Sequence, residues 1–410
     1  MIKAIKGTRD ILPPASHIWN QVESRVREVF RTFNYQEIRT PIFEETALFA
    51  RGVGAETDIV SKEMYTFDDH GDSLTLRPEN TAGVMRAYLE HRLDQRPGIQ
   101  KLFYLGPMFR RERPQKGRFR QFYQIGAEAI GVDSAAVDAE MIELVDTLLK
   151  ACGVQSARLL INTVGDPASR TAYVNELRTQ LAGVKEKLSP DNARRAETNP
   201  LRVLDSKEPA DEAIIAALPS IHEYLNDHAK KHFADVRTYL DDRQIEYEVN
   251  PRLVRGLDYY THTTFEFLHG ALGAQNAICG GGRYNGLAET IGSKLPAPGV
   301  GFSIGEDRLI MAVEDSFVAP QLDVYLAPLD EPSFRHCALL AAELRQQGLS
   351  VELATPTKPR RAMELADKLK ARTAVMVGDN EMNAGVYAVK NMATGTQESL
   401  SREQLLARLL

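Results

Sequence analysis

Two arginines close an apolar, strand-like run at Phe109-Arg110-Arg111-Glu112. A guanidinium in such a place can grip a phosphate through two parallel N–H bonds, although an ion pair to Glu112 within the same hairpin accounts for it too. Farther along, Gln124-Ile125-Gly126-Ala127-Glu128 puts Gln124, Gly126 and Glu128 on one face of a strand. Facing a core, that glutamine and glutamate cost on the order of several kcal/mol unless they bind something polar; facing solvent, they need no partner. A lone arginine sits in Leu253-Val254-Arg255-Gly256-Leu257-Asp258-Tyr259-Tyr260, where it either meets an anionic reacting group or pairs with Asp258. Gly280-Gly281-Gly282 either admits a close approach to bare backbone or simply turns the chain. Residues 299–305 are glycine-rich but lack the dinucleotide spacing G-x-G-x-x-G, and no G-x-x-x-x-G-K-[ST] occurs. A nucleotide bound here is therefore held by arginines rather than by a phosphate loop.

These groups need a scaffold. After Pro13-Pro14, Ile18, Val22, Val26, Val29 and Phe30 recur at helical spacing and predict an amphipathic helix over 16–33. Residues 37–43 read as a strand ending at a proline, 73–76 as another, and Pro78 introduces a helix that runs to 90. Strand-like runs at 101–109 and 119–130 flank a polar loop, so the pair delivers Arg110 and Arg111 to one end of an antiparallel sheet. From 166 to 243 the chain turns helical and charged, broken by Pro190, Pro200, Pro209 and Pro219, which predicts an inserted helical subdomain. Strand signals resume at 247–249, 263–268 and 277–279, and a helix follows at 306–314. After Pro320 strand and helix alternate (324–327, 334–347, 351–353, 361–370, 374–377), the pattern of a separate α/β domain with partly parallel strands.

Composition sets the boundaries. Four hundred and ten residues make two to four domains, with 43 % hydrophobic and 26 % charged residues. A mean hydropathy of −0.31 and no long apolar run argue against a membrane protein, and the opening residues lack a signal-peptide core. Cys152, Cys279 and Cys337 are too dispersed for a disulfide framework or a cysteine zinc site, so a reducing cytoplasm and no protein-bound metal are expected. The net charge of −6 draws nothing nucleic to the whole surface, yet Lys101, Arg110, Arg111, Arg113, Lys116, Arg118 and Arg120 face only Glu112. That run is either a local phosphate site or a solvated hairpin.

Motif by motif, the chain resembles histidyl-tRNA synthetase, a class II aminoacyl-tRNA synthetase of bacterial type. Residues 40–44 with the run Arg51-Gly52-Val53-Gly54-Ala55-Glu56-Thr57-Asp58-Ile59-Val60 resemble motif 1, residues 109–114 with 119–122 motif 2, and 299–309, ending Gly305-Glu306-Asp307-Arg308-Leu309, motif 3. Arg255-Gly256-Leu257-Asp258-Tyr259-Tyr260 and Gly280-Gly281-Gly282-Arg283-Tyr284 resemble signatures particular to the histidine enzyme, and Asn199-Pro200-Leu201-Arg202-Val203-Leu204-Asp205 is similar to a run in its insertion. The resemblance implies an α+β fold: a class II antiparallel-sheet catalytic domain at 1–320 with the helical insertion at 166–243, and a C-terminal α/β anticodon-binding domain at 321–410. It implies that histidine and ATP give histidyl-adenylate, from which histidine passes to its tRNA, with Mg2+ accompanying ATP and a homodimer built at motif 1. Arg255 and Arg110 would act on the α-phosphate. Glu79 and Thr81, with Asn80 between them, would hold the α-amino group of histidine; Glu128 and Tyr260 would read the imidazole, with Gln124, Tyr259 and Tyr284 in the same pocket. Glu112 and Phe122 would meet adenine, Phe122 by stacking, and Arg308 the γ-phosphate. Asn80 stands where the family usually has glycine, and asparagine tolerates unusual backbone angles. The competing class is a non-catalytic synthetase-like regulatory or tRNA-sensing protein; the presence of Arg110, Arg255, Arg308 and the C-terminal domain favours the enzyme.

Overall fold

The structure, a computed structural model, describes residues 2–54, 57–115, 117–206, 208–270, 276–317 and 320–410. Ala55 and Glu56 of the motif 1 run and Lys116 of the basic run therefore lie outside the described residues. The chain divides into two compact units, Met1–Phe317 and Val318–Leu410.

An eight-stranded sheet organises the first unit. Its strands lie in the order Gln36–Glu37, Gln100–Phe109, Gln121–Ile130, Gly299–Gly305, Ala277–Arg283, Thr261–His269, Ala157–Thr163 and Glu248–Val249. Every pairing is antiparallel except the two short edge strands, which run parallel to their neighbours. Period-two alternation divides the side chains between two environments. In Gln121–Ile130, Ile125, Ala127 and Ala129 join the large apolar core beneath helices Ala15–Thr32, Ala135–Ala151, Asp227–Asp242 and Glu306–Val313. Gln124, Gly126 and Glu128 take the other face, beside a smaller core containing Tyr104, Tyr259, Tyr260 and Tyr284.

The expected helix at 16–33 is Ala15–Thr32, and its apolar stripe, Trp19, Val22, Val26, Val29 and Phe30, is buried. Residues 37–43 are not one strand. Gln36–Glu37 joins the large sheet, whereas Phe43–Glu45 pairs with Asp72–Leu76 in a small three-stranded sheet completed by Tyr65–Asp69. Pro41 lies between the two pieces and supplies no N–H for a continuous ladder. The three glycines at 280–282 do not turn the chain; they occupy the middle of strand Ala277–Arg283.

The insertion has its own core, in which Tyr173, Leu177 and Leu181 of helix Pro167–Ala182 pack with Leu201, Val203 and Leu204. In the second unit the order is Val351–Leu353, Val324–Pro328, Thr373–Val377, Val386–Asn391 and Gln397–Ser401, with the first three strands parallel and the rest antiparallel. The sheet is mixed because the short helix Asp379–Ala384 brings Val386–Asn391 back antiparallel beside Thr373–Val377, and a short turn adds Gln397–Ser401.

Candidate active site

On the face of the large sheet that carries Tyr104 and Gln124, a cleft of about 770 Å³ opens. Eleven of the thirteen residues to which the resemblance gives a role line it: Glu79, Thr81, Arg110, Glu112, Phe122, Gln124, Arg255, Tyr259, Tyr260, Tyr284 and Arg308. Two do not, and each has a physical reason.

Asn80 turns away. Its Oδ1 accepts from Thr40 Oγ1 at 2.6 Å, and its φ of −119° is ordinary, so the backbone tolerance invoked for asparagine is not needed at this position. Glu128 is wholly buried behind the cleft wall, where it accepts from the Thr81 hydroxyl at 2.7 Å and the Tyr284 hydroxyl at 2.5 Å. Its place exists because strand Gly299–Gly305 presents Gly301 opposite it; a methyl group there would overlap the carboxylate. Burial pushes the Glu128 carboxyl up to about 8, against the downward pull of the Tyr284 and Thr81 hydrogen bonds.

Glu79 precedes helix Thr81–Glu90 and caps its first turn, accepting from the backbone N–H of Thr81 at 2.7 Å and of Ala82 at 3.1 Å. Burial raises its carboxyl, and those two backbone donors work against the rise. Arg110 ends its strand with Nε donating to the Pro78 carbonyl at 2.9 Å and its guanidinium 5.2 Å from the centre of the Phe122 ring. Glu112 lies 3.2 Å from Arg118 and 4.0 Å from Arg110, so the ion pair within the hairpin and the cationic cleft coexist. Gln124 is buried on the cleft side; its Nε2 approaches Ser303 Oγ at 3.4 Å, and its Oε1 has no hydrogen-bond partner. Solvent-facing placement of Gln124 and Glu128 is thereby overturned.

Arg255 does not pair with Asp258. Its guanidinium forms an ion pair with Glu266 on strand Thr261–His269 and lies across the bare backbone of Gly280. The Asp258 carboxylate instead accepts from Asn199 Nδ2 at 2.9 Å. Arg308, at the start of helix Glu306–Val313, donates to the Ala277 carbonyl at 2.7 Å, and burial lowers its pKa. Tyr259 stacks at a tilt on Tyr260 with ring centres 4.7 Å apart and meets Tyr284 edge-on at 5.8 Å.

The cleft also contains Arg118 of the basic run, and Tyr104 and Glu266, which sequence reasoning missed. Tyr104 had a readable signal: strand alternation puts it opposite Gly126, on the same face as Gln124. Glu266 had none, because only folding brings its strand against Arg255. Arg283 of the glycine-rich signature is not in the cleft. It is fully buried, with Nε 2.9 Å from Asp138 of helix Ala135–Ala151, and Asp138 also accepts from Thr263 at 2.5 Å and lies 2.8 Å from His232 Nε2.

Arginines, a buried carboxylate, an unpartnered amide oxygen and stacked aromatic rings converge on one cleft, a set suited to a zwitterion beside a polyphosphate. The family model described as Histidyl-tRNA synthetase matches residues 7–309, and that described as Anticodon binding domain matches 323–410. The histidine–tRNA ligase of Solibacter usitatus is 63 % identical over 410 residues, covering 100 % of this chain and 99 % of the relative. That of Koribacter versatilis is 54 % identical over 420 residues, covering 99 % and 95 %. Among solved structures, apo histidyl-tRNA synthetase of S. aureus superposes with a TM-score of 0.83 at 37 % identity over the whole of both chains.

Proposed function

The chain belongs to the histidyl-tRNA synthetase family, a class II aminoacyl-tRNA synthetase that attaches histidine to its tRNA using ATP, and from that premise we propose which side chains carry the two steps. In the first, a carboxylate oxygen of histidine attacks the α-phosphorus and pyrophosphate leaves. In the second, a hydroxyl of the terminal ribose of tRNA attacks the activated carbonyl and AMP leaves.

Arg110 and Arg255 hold the α-phosphate from two sides and neutralise charge that develops on its oxygens. Both are preorganised: Arg110 by the Pro78 carbonyl and Phe122, Arg255 by Glu266. Glu79 receives the α-amino group, since a buried carboxylate already fixed by two backbone donors gains from an arriving cation. The imidazole sits among Tyr259, Tyr260, Tyr284 and Gln124, whose free Oε1 accepts an N–H. With the histidine ammonium nearby, Glu128 takes its ionised form and accepts from both Thr81 and Tyr284, leaving those hydroxyl oxygens as acceptors toward the pocket. Adenine stacks on Phe122 near Glu112, and Arg308 takes the γ-phosphate end.

Mg2+ enters as the ATP complex. Of the carboxylates that line the cleft, Glu112, Glu266 and Asp307 each already have an arginine partner. A homodimer built on the small sheet is supported by exposed Ile42, Phe43 and Phe67, with the two phenylalanine rings 6.5 Å apart. Sedimentation of the full chain as a monomer at micromolar concentration would remove it. A cytoplasmic location accords with three buried free cysteines.

The observation that carries the assignment is the meeting of Glu79, Arg110 and Arg255 around one cleft. Its test is histidine-dependent exchange of pyrophosphate into ATP. Arg255→Ala is expected to slow adenylate formation by a few orders of magnitude, about 3–4 kcal/mol in the barrier, with histidine affinity nearly unchanged. A pre-steady-state rate close to that of the parent chain would take Arg255 out of catalysis.

A further inference from the structure

Residues 254–260 form no regular element, yet they present Arg255, Tyr259 and Tyr260 to the cleft. Irregular backbone without a ladder must be held from outside, and the insertion supplies most of the holding. Arg170, on helix Pro167–Ala182, donates to the carbonyls of Asp258 at 2.7 Å and Tyr260 at 3.3 Å. Asn199 binds the Asp258 carboxylate at 2.9 Å. In the turn Pro200–Asp205, Leu201, Val203 and Leu204 enter the insertion core, which sends Arg202 the other way, onto the cleft wall. Its guanidinium lies against Gly256, where a Cβ would come within 2.8 Å of Nη1, and reaches Asp58 at 3.3 Å. Only 16 % of the Arg202 side chain is exposed, so its fork is fixed between two segments of the cleft wall rather than free in solvent.

We propose that Arg202 is a positioning residue for histidyl-adenylate formation. Seated between Asp58 and Gly256, it sets the height of the segment that carries Arg255, so the insertion belongs to the amino-acid activation machinery. This rests on the reading that Arg255 acts at the α-phosphate. Displacing a preorganised group by about 1 Å can cost roughly 100-fold in rate, and the guanidinium is the only group at position 202 wide enough to meet both segments.

The test uses the full chain without tRNA, with rates expressed per titrated active site so that misfolded protein does not count. Arg202→Ala is expected to lower the exchange kcat by roughly 10- to 100-fold, with the KM for histidine within about threefold. Arg202→Lys, which keeps charge and loses the fork, is expected to recover part of that loss at an unchanged melting temperature. The double variant Arg202→Ala/Arg255→Ala is expected to be no slower than Arg255→Ala alone, because Arg202 acts through Arg255. Losses that multiply in the double variant overturn the proposal. So does parental exchange in Arg202→Ala beside a slow Arg255→Ala; the insertion then takes no part in activation. Parental exchange in Arg255→Ala overturns the role given to Arg255 itself, and the route from Arg202 falls with it.

Discussion

Glu128 and His262 show how burial alone gives a side chain a job. Glu128 touches no solvent and accepts from the Thr81 and Tyr284 hydroxyls, so in the proposed site it would act on histidine only through them. In Glu128→Gln the amide NH2 would donate to one of those hydroxyls and turn its hydrogen toward the pocket, replacing an acceptor with a donor. Calorimetry is expected to show histidine binding weakened by about 1–3 kcal/mol, the cost of an unmatched buried polar contact, with ATP binding nearly unchanged. Equal losses for both substrates would make Glu128 a structural residue. His262 lies on the opposite side of the strands, left-handed at φ 50°, with its ring 4.6 Å from that of His232 and 5.5 Å from that of His228. Burial, followed by the neighbouring His232, lowers its pKa from 6.5 to about 4. Between those values the unfolded chain binds the extra proton, so stability falls as pH drops from about 6.5 toward 4 and is fully present above 6.5. His262→Asn, which tolerates the backbone angle, is expected to remove up to about 3 kcal/mol of that acid dependence. A melting temperature that falls as steeply with acid in the variant would assign the dependence to other groups.

The strand Ala277–Arg283 carries three adjacent glycines at the centre of the sheet, where side chains would ordinarily strengthen the packing. They are tolerated because other side chains lie flat on the bare backbone, with Arg255 over Gly280. Gly280→Ala should therefore separate propensity from function. Alanine suits a strand better than glycine by several tenths of a kcal/mol, but its methyl group occupies the volume of the guanidinium. Far-UV circular dichroism is expected to stay unchanged while exchange falls toward the level of Arg255→Ala. Retained exchange would mean that Arg255 reaches its working position without lying on this strand. The last residue of the same strand, Arg283, ties the sheet to helix Ala135–Ala151 through Asp138. The glycine-rich signature thus lies against Arg255 at one end and ties into the core at the other.

At the scale of the whole molecule, the candidate cleft and the segment matched by the anticodon binding domain model belong to different compact units, Met1–Phe317 and Val318–Leu410, each with its own sheet and apolar core. On helix Pro359–Lys368, Arg360 and Arg361 share Glu364 at 3.4 Å, and Arg372 pairs at 3.1 Å with Asp323, an acid that the local sequence does not place beside it. Lys358, Lys368 and Lys370 are exposed as well, beside exposed Asp367, and are available for phosphate contact. A chain ending at Phe317 is expected to retain histidine-dependent pyrophosphate exchange and to lose most aminoacylation, through tRNA binding that is weaker and less salt-dependent. Undiminished tRNA affinity with an unchanged salt slope would return recognition to the Arg110–Arg120 loop and the insertion.

Amphipathic period was sufficient for helix Ala15–Thr32 and strand alternation for the long hairpin that delivers Arg110, because each depends on contacts within a few positions, whereas the eleven cleft residues were reached through the family resemblance of the motifs. Helix Ala135–Ala151 was harder to read: it is buried on several sides, so its apolar residues do not confine themselves to a stripe. Folding alone decided which ion pairs form. Arg255 chose Glu266 across the sheet over Asp258 three residues away, and Asp258 turned to Asn199 in the insertion. Folding also decided that Glu128 lies behind the wall and not on it, since that depends on Gly301 of a strand more than 170 positions later in sequence. Residue type and spacing fix which chemistry a chain can perform; which of two chemically equivalent partners a charged group takes is settled by strand register and insertion docking, to which local sequence is blind.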